Sequence, residues 1–248
     1  MTSATERPVV LLTGAARRVG AAIARTLHEA GYDLALHCWH SRTELDALLV
    51  ELEIARPRST LALQADLADV ERLPQLVTAT VARFGRLDGL VNNASGFTPT
   101  PIGSITPAQW DTLFAANARA PLFLAQAAAP HLAASNGAIV NLVDIHAERP
   151  LALHSVYCMA KAALVMATRA LALDLAPDVR VNAVAPGAVL WPDAGKASAE
   201  QAHLIANTPL QRIGTPADVA GAVLWLLRDA AFVTGQIIRV DGGRLLGA

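Results

Sequence analysis

A tyrosine and a lysine stand four residues apart in the segment Tyr157-Cys158-Met159-Ala160-Lys161. On a helix that spacing puts both side chains on one face, one turn apart. An ammonium beside a phenol favours the phenolate, so Lys161 is expected to lower the pKa of Tyr157. The phenol would then act as a general acid near neutral pH. Such a pair occurs by chance in many helices, so its meaning depends on its place in the chain.

A glycine-containing turn follows the first predicted strand, in the segment 13–20, TGAARRVG. Glycine at a strand-to-helix turn lets the backbone approach a pyrophosphate, and the helix that follows offers free N–H groups and a positive dipole end. The usual fingerprint has three glycines, whereas here Gly14 and Gly20 remain and Arg18 takes the middle place. Its position after the first strand favours a dinucleotide site over a simple tight turn. The predicted contacts are Gly14, Arg18, Val19 and Gly20.

The second predicted strand ends in the segment 38–42, CWHSR. An NAD site normally carries an acidic residue here, which binds the ribose 2′-hydroxyl. No acid occurs before Glu44, and His40, Ser41 and Arg42 instead offer hydrogen-bond donors and positive charge. Since a 2′-phosphate requires such groups, the pattern predicts NADPH rather than NADH. The alternative is that Arg42 is a solvated residue at a helix start.

Further cleft positions are expected where other predicted strands end. Asp66 and Leu67 would hold the adenine edge, and Asn92 with Asn93 would stabilise the sheet centre and line the cofactor cleft. A simple Asx turn is the alternative for the asparagine pair. Together with the helical residues Tyr157 and Lys161, such positions complete the predicted cofactor-binding set. The added residues are Asp66, Leu67, Asn93, Ala94, Ser95, Tyr157, Lys161, Pro186 and Gly187.

Short apolar runs alternate with longer alanine-rich, amphipathic stretches along the chain. The runs are residues 8–13, 33–38, 61–65, 87–92, 138–143, 179–184 and 236–240, and helical stretches include 19–30, 73–84 and 157–175. Near-continuous apolar strands are typical of a parallel sheet buried on both faces. The order predicts an α/β, Rossmann-type, doubly wound parallel sheet in three layers, forming a single domain over residues 1–248. A substrate loop is expected around residues 190–211, where a mobile lid would follow a strand end.

The bulk composition narrows the function classes. The chain is 53% hydrophobic and 17% charged with a formal net charge of -1, so it has no electrostatic footprint for nucleic acid or acidic membranes. No signal peptide and no run of about 18 apolar residues is recognisable, so no membrane association is expected. Cys38 and Cys158 are too few for a disulfide framework and lack zinc spacing, and the histidines form no metal-like cluster. A cytoplasmic protein with no metal and a small-molecule substrate is the resulting expectation.

With these motifs in their order, the chain resembles the short-chain dehydrogenase/reductase family from Val9 to Gly243. Asn117, Tyr157 and Lys161 match three of that family's four catalytic positions. The resemblance implies that the tyrosine donates a proton, the lysine holds the nicotinamide ribose, and the asparagine helps to order a proton-relay water. The fourth position, thirteen residues before the tyrosine, is usually serine and here is Asp144.

Asp144 in place of the serine favours reduction of a C=N bond over reduction of a ketone. The family's serine donates a hydrogen bond to the alkoxide that forms from a ketone, and a carboxylate would repel that alkoxide. In reduction of a C=N bond the nitrogen must receive a proton, so an extra carboxyl group can assist. A carboxyl group also accepts hydrogen bonds from the amino and ring N–H groups of a heterocycle. The alternative is that Asp144 is neutral drift in a dead or altered site.

Four matches make the pteridine reductases the most similar group. Segment 13–20 is similar to that group's TGAAKRLG, segment 36–41 (LHCWHS) to LHYHRS, and segment 92–97 (NNASGF) to NNASSF; Asp144 is the fourth match. The resemblance implies that Arg18 touches both cofactor phosphate and pterin, and that Phe97 stacks on the pterin opposite the nicotinamide. His40 replaces an arginine of that group, and Arg42 would compensate. The implied substrate-binding residues are Arg18, Ser95, Phe97, Asp144 and Tyr157, with ordinary core packing as the alternative for Phe97.

Two other functions stay open at this point. A ketone or sugar reductase of the same fold predicts a hydroxyl at position 144, and a non-catalytic NADP-binding regulator predicts loss of the Tyr–Lys pair; the chain has neither feature. Enoyl reductases of this fold use a longer Tyr-to-Lys spacing than the four residues found here, so that activity is disfavoured. Dihydropterins, dihydrofolate and oxidised pterins all fit the pattern. Long alanine-rich helices at 107–131 and 157–175, which relatives pair between subunits, predict a homotetramer.

Overall fold

The computed structural model of the protein describes residues 7–189 and 198–247. The predicted apolar runs form one seven-stranded parallel sheet in the order β3-β2-β1-β4-β5-β6-β7. The order reverses between β1 and β4, and ligands of doubly wound sheets bind at such a switch point. The strands are β1 (Val9–Leu12), β2 (Asp33–Cys38), β3 (Thr60–Gln64), β4 (Gly89–Asn92), β5 (Ala138–Leu142), β6 (Arg180–Pro186) and β7 (Ile237–Val240).

Helices cover both faces of the sheet. Successive residues of β1 point to opposite sides, so Val10 and Leu12 join one core cluster and Leu11 joins the other. The first cluster is closed by α1, α2 and α8, and the second by α3, α5 and α6. The three-layer Rossmann-type prediction is therefore confirmed. The helices are α1 (Arg18–Glu29), α2 (Arg42–Ala55), α3 (Leu73–Phe84), α4 (Pro107–Phe114), α5 (Ala120–Ser135), α6 (Ser155–Asp174), α7 (Ser198–Ala206) and α8 (Pro216–Arg228).

The predicted long helix over 107–131 is interrupted in the structure. Helix α4 begins with a capping box in which Thr106 accepts from the Gln109 N–H, and it ends at Phe114. A π-helical turn over Ala115–Arg119 then joins it to α5. The wider turn buries Asn117, whose side chain bonds to a backbone carbonyl one turn back. Such π turns are frequent at functional sites, and this one delivers Asn117 to the sheet's carboxyl edge.

Helix α6 is long and apolar enough to cross a membrane, and it is the one helix with that property in the described part of the chain. More than half of its apolar 18-residue window is buried inside the fold, where Leu164 and Val165 pack against Ala183 and Ala185 of β6. A core helix on a parallel sheet has the same composition, so its apolarity is explained by its packing.

The expected substrate loop is described only in part. Residues 190–197, including Trp191, lie outside the described residues, and residues 198–206 form α7. The loop and its proposed lid motion remain predictions.

Candidate active site

The first strand-to-helix loop lies against the end of β4. The Asn93 side-chain amide donates to the carbonyl oxygens of Thr13 (3.0 Å) and Gly14 (2.9 Å). In return, Thr13 Oγ1 accepts from the N–H groups of Asn93 (3.0 Å) and Ala94 (3.1 Å). The two predicted halves of the cofactor cleft, one from β1 and one from β4, are thus joined into one surface.

Glycine is required at two places in this loop. Gly14 has a positive φ of +64°, and a Cβ there would lie 2.8 Å from the Cα of Ala94. A Cβ on Gly20 would lie 2.0 Å from the Gly14 carbonyl oxygen. Arg18, where the usual fingerprint has its middle glycine, also adopts a left-handed φ of +52° at the start of α1. The backbone therefore keeps the shape of a pyrophosphate cradle although one glycine is missing.

A buried histidine ties this cradle to the third strand. His37 Nδ1 accepts from the Gly14 N–H at 3.3 Å, so Nε2 carries the proton and donates to the Ala65 carbonyl at 3.1 Å. Burial lowers the pKa of His37, which keeps the ring neutral for this arrangement. The only sequence signal for this structural role is a histidine in an otherwise apolar strand.

The expected 2′-phosphate residues lie together at the start of α2. Ser41 immediately precedes the helix, and the ring of exposed His40 lies 3.8 Å from that of Trp39. Arg42 is exposed but engaged, because its Nε donates to Asp46 Oδ1 at 2.9 Å. Arg42 therefore faces a carboxylate on its own helix, and a phosphate would have to share or displace that partner.

Most of the remaining predicted cofactor positions lie at the carboxyl ends of β3 and β6, and the others, Val19 and Ala94, lie in α1 and after β4. The Asp66 carboxylate accepts from the Ala68 N–H at 2.9 Å, and Leu67 is buried. Gly187 follows Pro186 at the end of β6, and a Cβ on Gly187 would lie 2.8 Å from the Cα of Asp241. Val19 and Ala94 are half-buried on the loop side of the sheet.

Tyr157 and Asp144, two of the residues predicted to be catalytic, are joined directly. Tyr157 Oη donates to Asp144 Oδ2 at 2.7 Å, while Asp144 Oδ1 accepts from the His146 N–H at 2.8 Å. The second bond caps a short 3₁₀ turn over Ile145–Ala147 and fixes the carboxylate. Burial, followed by the Asp144 carboxylate, raises the pKa of Tyr157 well above its ordinary value. The expectation that Lys161 lowers this pKa is wrong, because burial and the adjacent negative charge both favour the protonated phenol.

Lys161 lies below the phenol and is nearly inaccessible, with 2% exposure. Its Nζ donates to the Leu142 carbonyl at 2.8 Å and lies 5.8 Å from the centroid of the Tyr157 ring. Burial lowers the pKa of Lys161 to about 8, and the Asp144 carboxylate opposes that shift. The lysine can therefore change charge close to physiological pH.

Asn117 holds the loop after β4 rather than pointing freely into the cleft. Its Nδ2 donates to the carbonyls of Gly96 and Leu113, each at 2.9 Å, and its Oδ1 accepts from Ser95 Oγ at 2.8 Å. The same Ser95 hydroxyl acts to lower the pKa of Tyr157, against the larger opposing effects of burial and of Asp144. Ser95 is thus bonded to the predicted catalytic residue Asn117, a relationship that their spacing in the sequence does not reveal.

The first asparagine of the pair stabilises the sheet centre, as expected. Asn92 Nδ2 donates to Asn141 Oδ1 at 2.8 Å, and Asn141 Nδ2 donates to Thr168 Oγ1 at 2.9 Å. This polar chain is buried and connects β4, β5 and α6. An asparagine inside the apolar run of β5 was the available signal for Asn141, which sequence reasoning did not use.

Phe97 is not a core residue. Its side chain is 55% exposed, its ring meets that of Tyr157 edge to face at 4.8 Å, and it stacks on His154 at 4.5 Å. The alternative of ordinary core packing is therefore wrong, and a partly open aromatic surface lies next to Tyr157. His154 was not singled out from the sequence.

The C-terminal turn also lies beside this site. Leu245 packs against the cluster containing Val143 and Ile145, the two neighbours of Asp144, and Arg149 Nη1 donates to the Gly247 carbonyl at 2.8 Å. Burial lowers the pKa of Arg244, and the Asp144 carboxylate acts against that shift. No group of three histidine, cysteine or acidic side chains suited to a metal occurs within residues 7–189 and 198–247.

Comparison with known proteins gives consistent matches along the chain. A family model described as enoyl-(acyl carrier protein) reductase matches residues 14–244. Pteridine reductase 1 of Leishmania tarentolae is 36% identical, with 98% of each chain covered. An uncharacterized oxidoreductase of Methylorubrum extorquens is 37% identical over 97% of this chain and 99% of its own. A 3-oxoacyl-(acyl-carrier-protein) reductase of Staphylococcus aureus is 32% identical over 94% and 96%.

Proposed function

The chain belongs to the short-chain dehydrogenase/reductase family of oxidoreductases, and from that premise we propose that it reduces the C=N bond of a pterin with NADPH. The observation that carries the proposal is the 2.7 Å hydrogen bond from Tyr157 Oη to Asp144 Oδ2. It puts a carboxylate in contact with the proton donor. The similarity to a pteridine reductase over the whole chain supports the same substrate class.

This pair suits a nitrogen acceptor. A carbonyl substrate develops negative charge on oxygen, and Asp144 would oppose that charge. An imine nitrogen takes up a proton instead, and the protonated phenol of Tyr157 is placed to give it. The Asp144 carboxylate can accept hydrogen bonds from the amino and ring N–H groups of a pterin, which orients the heterocycle.

Lys161 completes the proton transfer. When Tyr157 gives up its proton, a phenolate forms beside the Asp144 carboxylate in a buried site, and two negative charges would lie close together. The Lys161 ammonium, 5.8 Å from the ring centroid, offsets that charge. Its remaining N–H groups would hold the nicotinamide ribose.

The proposed cofactor site consists of residues whose shape and charge fit NADPH, which when bound supplies a hydride to the substrate carbon. The pyrophosphate would lie over Gly14 and Gly20, where a Cβ has no room. The 2′-phosphate would meet His40, Ser41 and Arg42, since no acidic residue ends β2. The Arg42–Asp46 ion pair is exposed and therefore of low cost to rearrange.

The proposed pterin site lies between this cofactor surface and the exposed ring of Phe97. A flat heterocycle gains from stacking on such a ring. Arg18, Ser95, Phe97, Asp144 and Tyr157 would contact the substrate, with Arg18 also reaching the cofactor phosphates.

We also propose that the enzyme is a homotetramer in the cytoplasm. Met159, Met166 and Leu173 recur every seven residues on α6 and are 48%, 60% and 82% exposed. Residues at that spacing share one helix face, so α6 presents an apolar stripe that a second subunit would cover. The exposed Leu122 of α5 adds to the apolar surface of the chain.

Reduction of a carbonyl is the second candidate. The hydroxyl of Ser95, which lies near enough to the Tyr157 phenol to act on its pKa, could serve an alkoxide in place of the missing serine at position 144. Relatives described as ketoacyl reductases fit this reading.

The test is an NADPH-oxidation assay across oxidised pterins, dihydropterins, dihydrofolate, and a panel of ketones and sugars. The proposal expects the highest kcat/KM on a pterin or folate. A higher kcat/KM on a ketone would replace it by the second candidate. Absence of turnover on every compound, with NADPH still bound, would favour a non-catalytic NADP-binding regulator.

A further inference from the structure

Three aromatic rings from two separate parts of the chain form one cluster above the catalytic helix. The Phe97 ring stacks on His154 with centroids 4.5 Å apart and planes at 15°, and meets the Tyr157 ring at 4.8 Å and 90°. Because 55% of the Phe97 side chain stays exposed, the ring has surface left for a ligand. His154 therefore supports Phe97 without closing it off.

The histidine itself is held firmly. His154 Nδ1 lies 2.8 Å from the Ala152 carbonyl, which can only accept, so Nδ1 carries a proton and donates it. The backbone N–H of His154 donates to the Leu151 carbonyl at 3.2 Å. His154 also directly precedes α6, which carries Tyr157. The orientation of the imidazole is thus tied to the helix that carries the proton donor.

A buried threonine joins the Phe97 loop to the same place. The Thr100 N–H donates to the Leu153 carbonyl at 2.6 Å, and Thr100 Oγ1 accepts from the Val156 N–H at 3.3 Å. Thr100 is fully buried and forms a parallel bridge with His154. Phe97 is three residues from this anchor, so the stacked pair sits where the loop and the helix are already fastened.

We propose that His154 is a positioning residue for the substrate: its imidazole face holds Phe97 in the orientation in which the phenylalanine stacks on a flat heteroaromatic ring. The inference rests on the proposed pterin site. It makes substrate affinity depend on the ring of His154 rather than on its hydrogen bond. Loss of one aromatic pair corresponds to a change in KM of about 3- to 10-fold.

Two substitutions separate the ring from the hydrogen bond. His154→Asn keeps an N–H donor for the Ala152 carbonyl but removes the stacked ring. His154→Phe keeps a ring and removes the donor. We expect His154→Asn to raise the KM for a dihydropterin about 3- to 10-fold with little change in kcat or in NADPH affinity, and His154→Phe to stay close to wild type. Phe97→Ala provides the reference for complete loss of stacking, and His131→Ala, a histidine on α5, is the matched control.

The outcomes distinguish this inference from the proposed function. If the wild type reduces dihydropterins but His154→Asn keeps the wild-type KM, or His154→Phe is the impaired variant, the positioning role is overturned and the pterin assignment stands. If the wild type turns over no pterin or folate while remaining active on ketones, both proposals fail. Thermal unfolding of each variant verifies that a changed KM comes from a folded protein.

Discussion

The phenol of Tyr157 donates its hydrogen bond to Asp144 Oδ2 over 2.7 Å, and burial together with this contact raises the pKa of the phenol. The acceptor is a carboxylate on the loop after β5, and the donor is on the first turn of α6. In a buried site such a bond favours the neutral phenol over the phenolate. The phenol of Tyr157 is therefore held protonated, as the proposed proton transfer to the substrate requires.

Replacing Asp144 by serine is expected to restore the usual residue of the family and to impair pterin reduction. Loss of one participant in proton transfer typically lowers the rate by about 10²–10⁴-fold. NADPH affinity should be unchanged, because Asp144 lies outside the glycine cradle. The measurement is kcat on a dihydropterin and on a ketone panel, beside NADPH binding by fluorescence. Full pterin activity in Asp144→Ser would contradict the assignment.

The same substitution should lower the pKa of Tyr157. The Asp144 carboxylate raises that pKa both by its charge and by accepting the phenol's hydrogen bond, so removing it acts in the opposite direction. The chain has two tyrosines, and a Tyr32→Phe background leaves Tyr157 as the only one. A titration of tyrosinate absorbance in Asp144→Ser should show ionisation at lower pH than with Asp144 intact. An unchanged titration curve would mean that burial alone sets this pKa.

Lys161 should give the pH profile an alkaline limb. Burial lowers its pKa to about 8, so the ammonium is present below that pH and is lost above it. Since the cation is needed to offset the phenolate and to hold the ribose, kcat/KM for NADPH should fall as the pH rises through that range. In Lys161→Arg the side chain stays charged, and the limb should disappear even if the rate is lower. A wild-type profile that stays flat well above pH 8 would refute this role.

Arg42 is expected to discriminate between the two nicotinamide cofactors. A charge-assisted hydrogen bond to a phosphate is worth about 1.5–3 kcal/mol, so Arg42→Gln should raise the KM for NADPH roughly 10- to 100-fold and leave the KM for NADH nearly unchanged. Arg25→Gln removes an arginine of α1 that is likewise paired with an acidic residue, Glu51, and serves as control. If wild-type enzyme uses NADH with an equal or higher kcat/KM, the predicted preference is wrong.

The exposed apolar stripe of α6 should be covered in solution. We expect light scattering at micromolar concentration to give the mass of a tetramer. Met166→Lys, which puts a charge in the middle of the stripe, should shift the population towards smaller species. A monomeric mass for the wild type would exclude this assembly.

Much of the fold and of the site could be predicted from local patterns. The apolar runs determined where the strands lie, because a parallel sheet buried on both faces admits little polarity. Helical periodicity was enough to place Tyr157 and Lys161 on one face of α6. Gly14 and Gly20 could be predicted as cofactor-loop residues from their place after the first strand. The structure shows that a Cβ at either position would collide with the backbone. The helix predicted over 107–131 is interrupted, and the interruption was missed because periodicity alone does not reveal a π turn that buries Asn117.

By itself, the sequence determined the chain's fold class, and it predicted Tyr157 as the proton donor and Asp144 as the unusual carboxylate beside it. Only the tertiary structure decided the direction of the Tyr157 pKa shift, because desolvation depends on what the folded chain packs around the phenol. It also decided that burial lowers the pKa of Lys161 to about 8 and that His154 stacks on Phe97. Burial and contacts between residues far apart in the chain arise from the packing of whole helices and strands. The spacing of residues in the sequence therefore does not predict them.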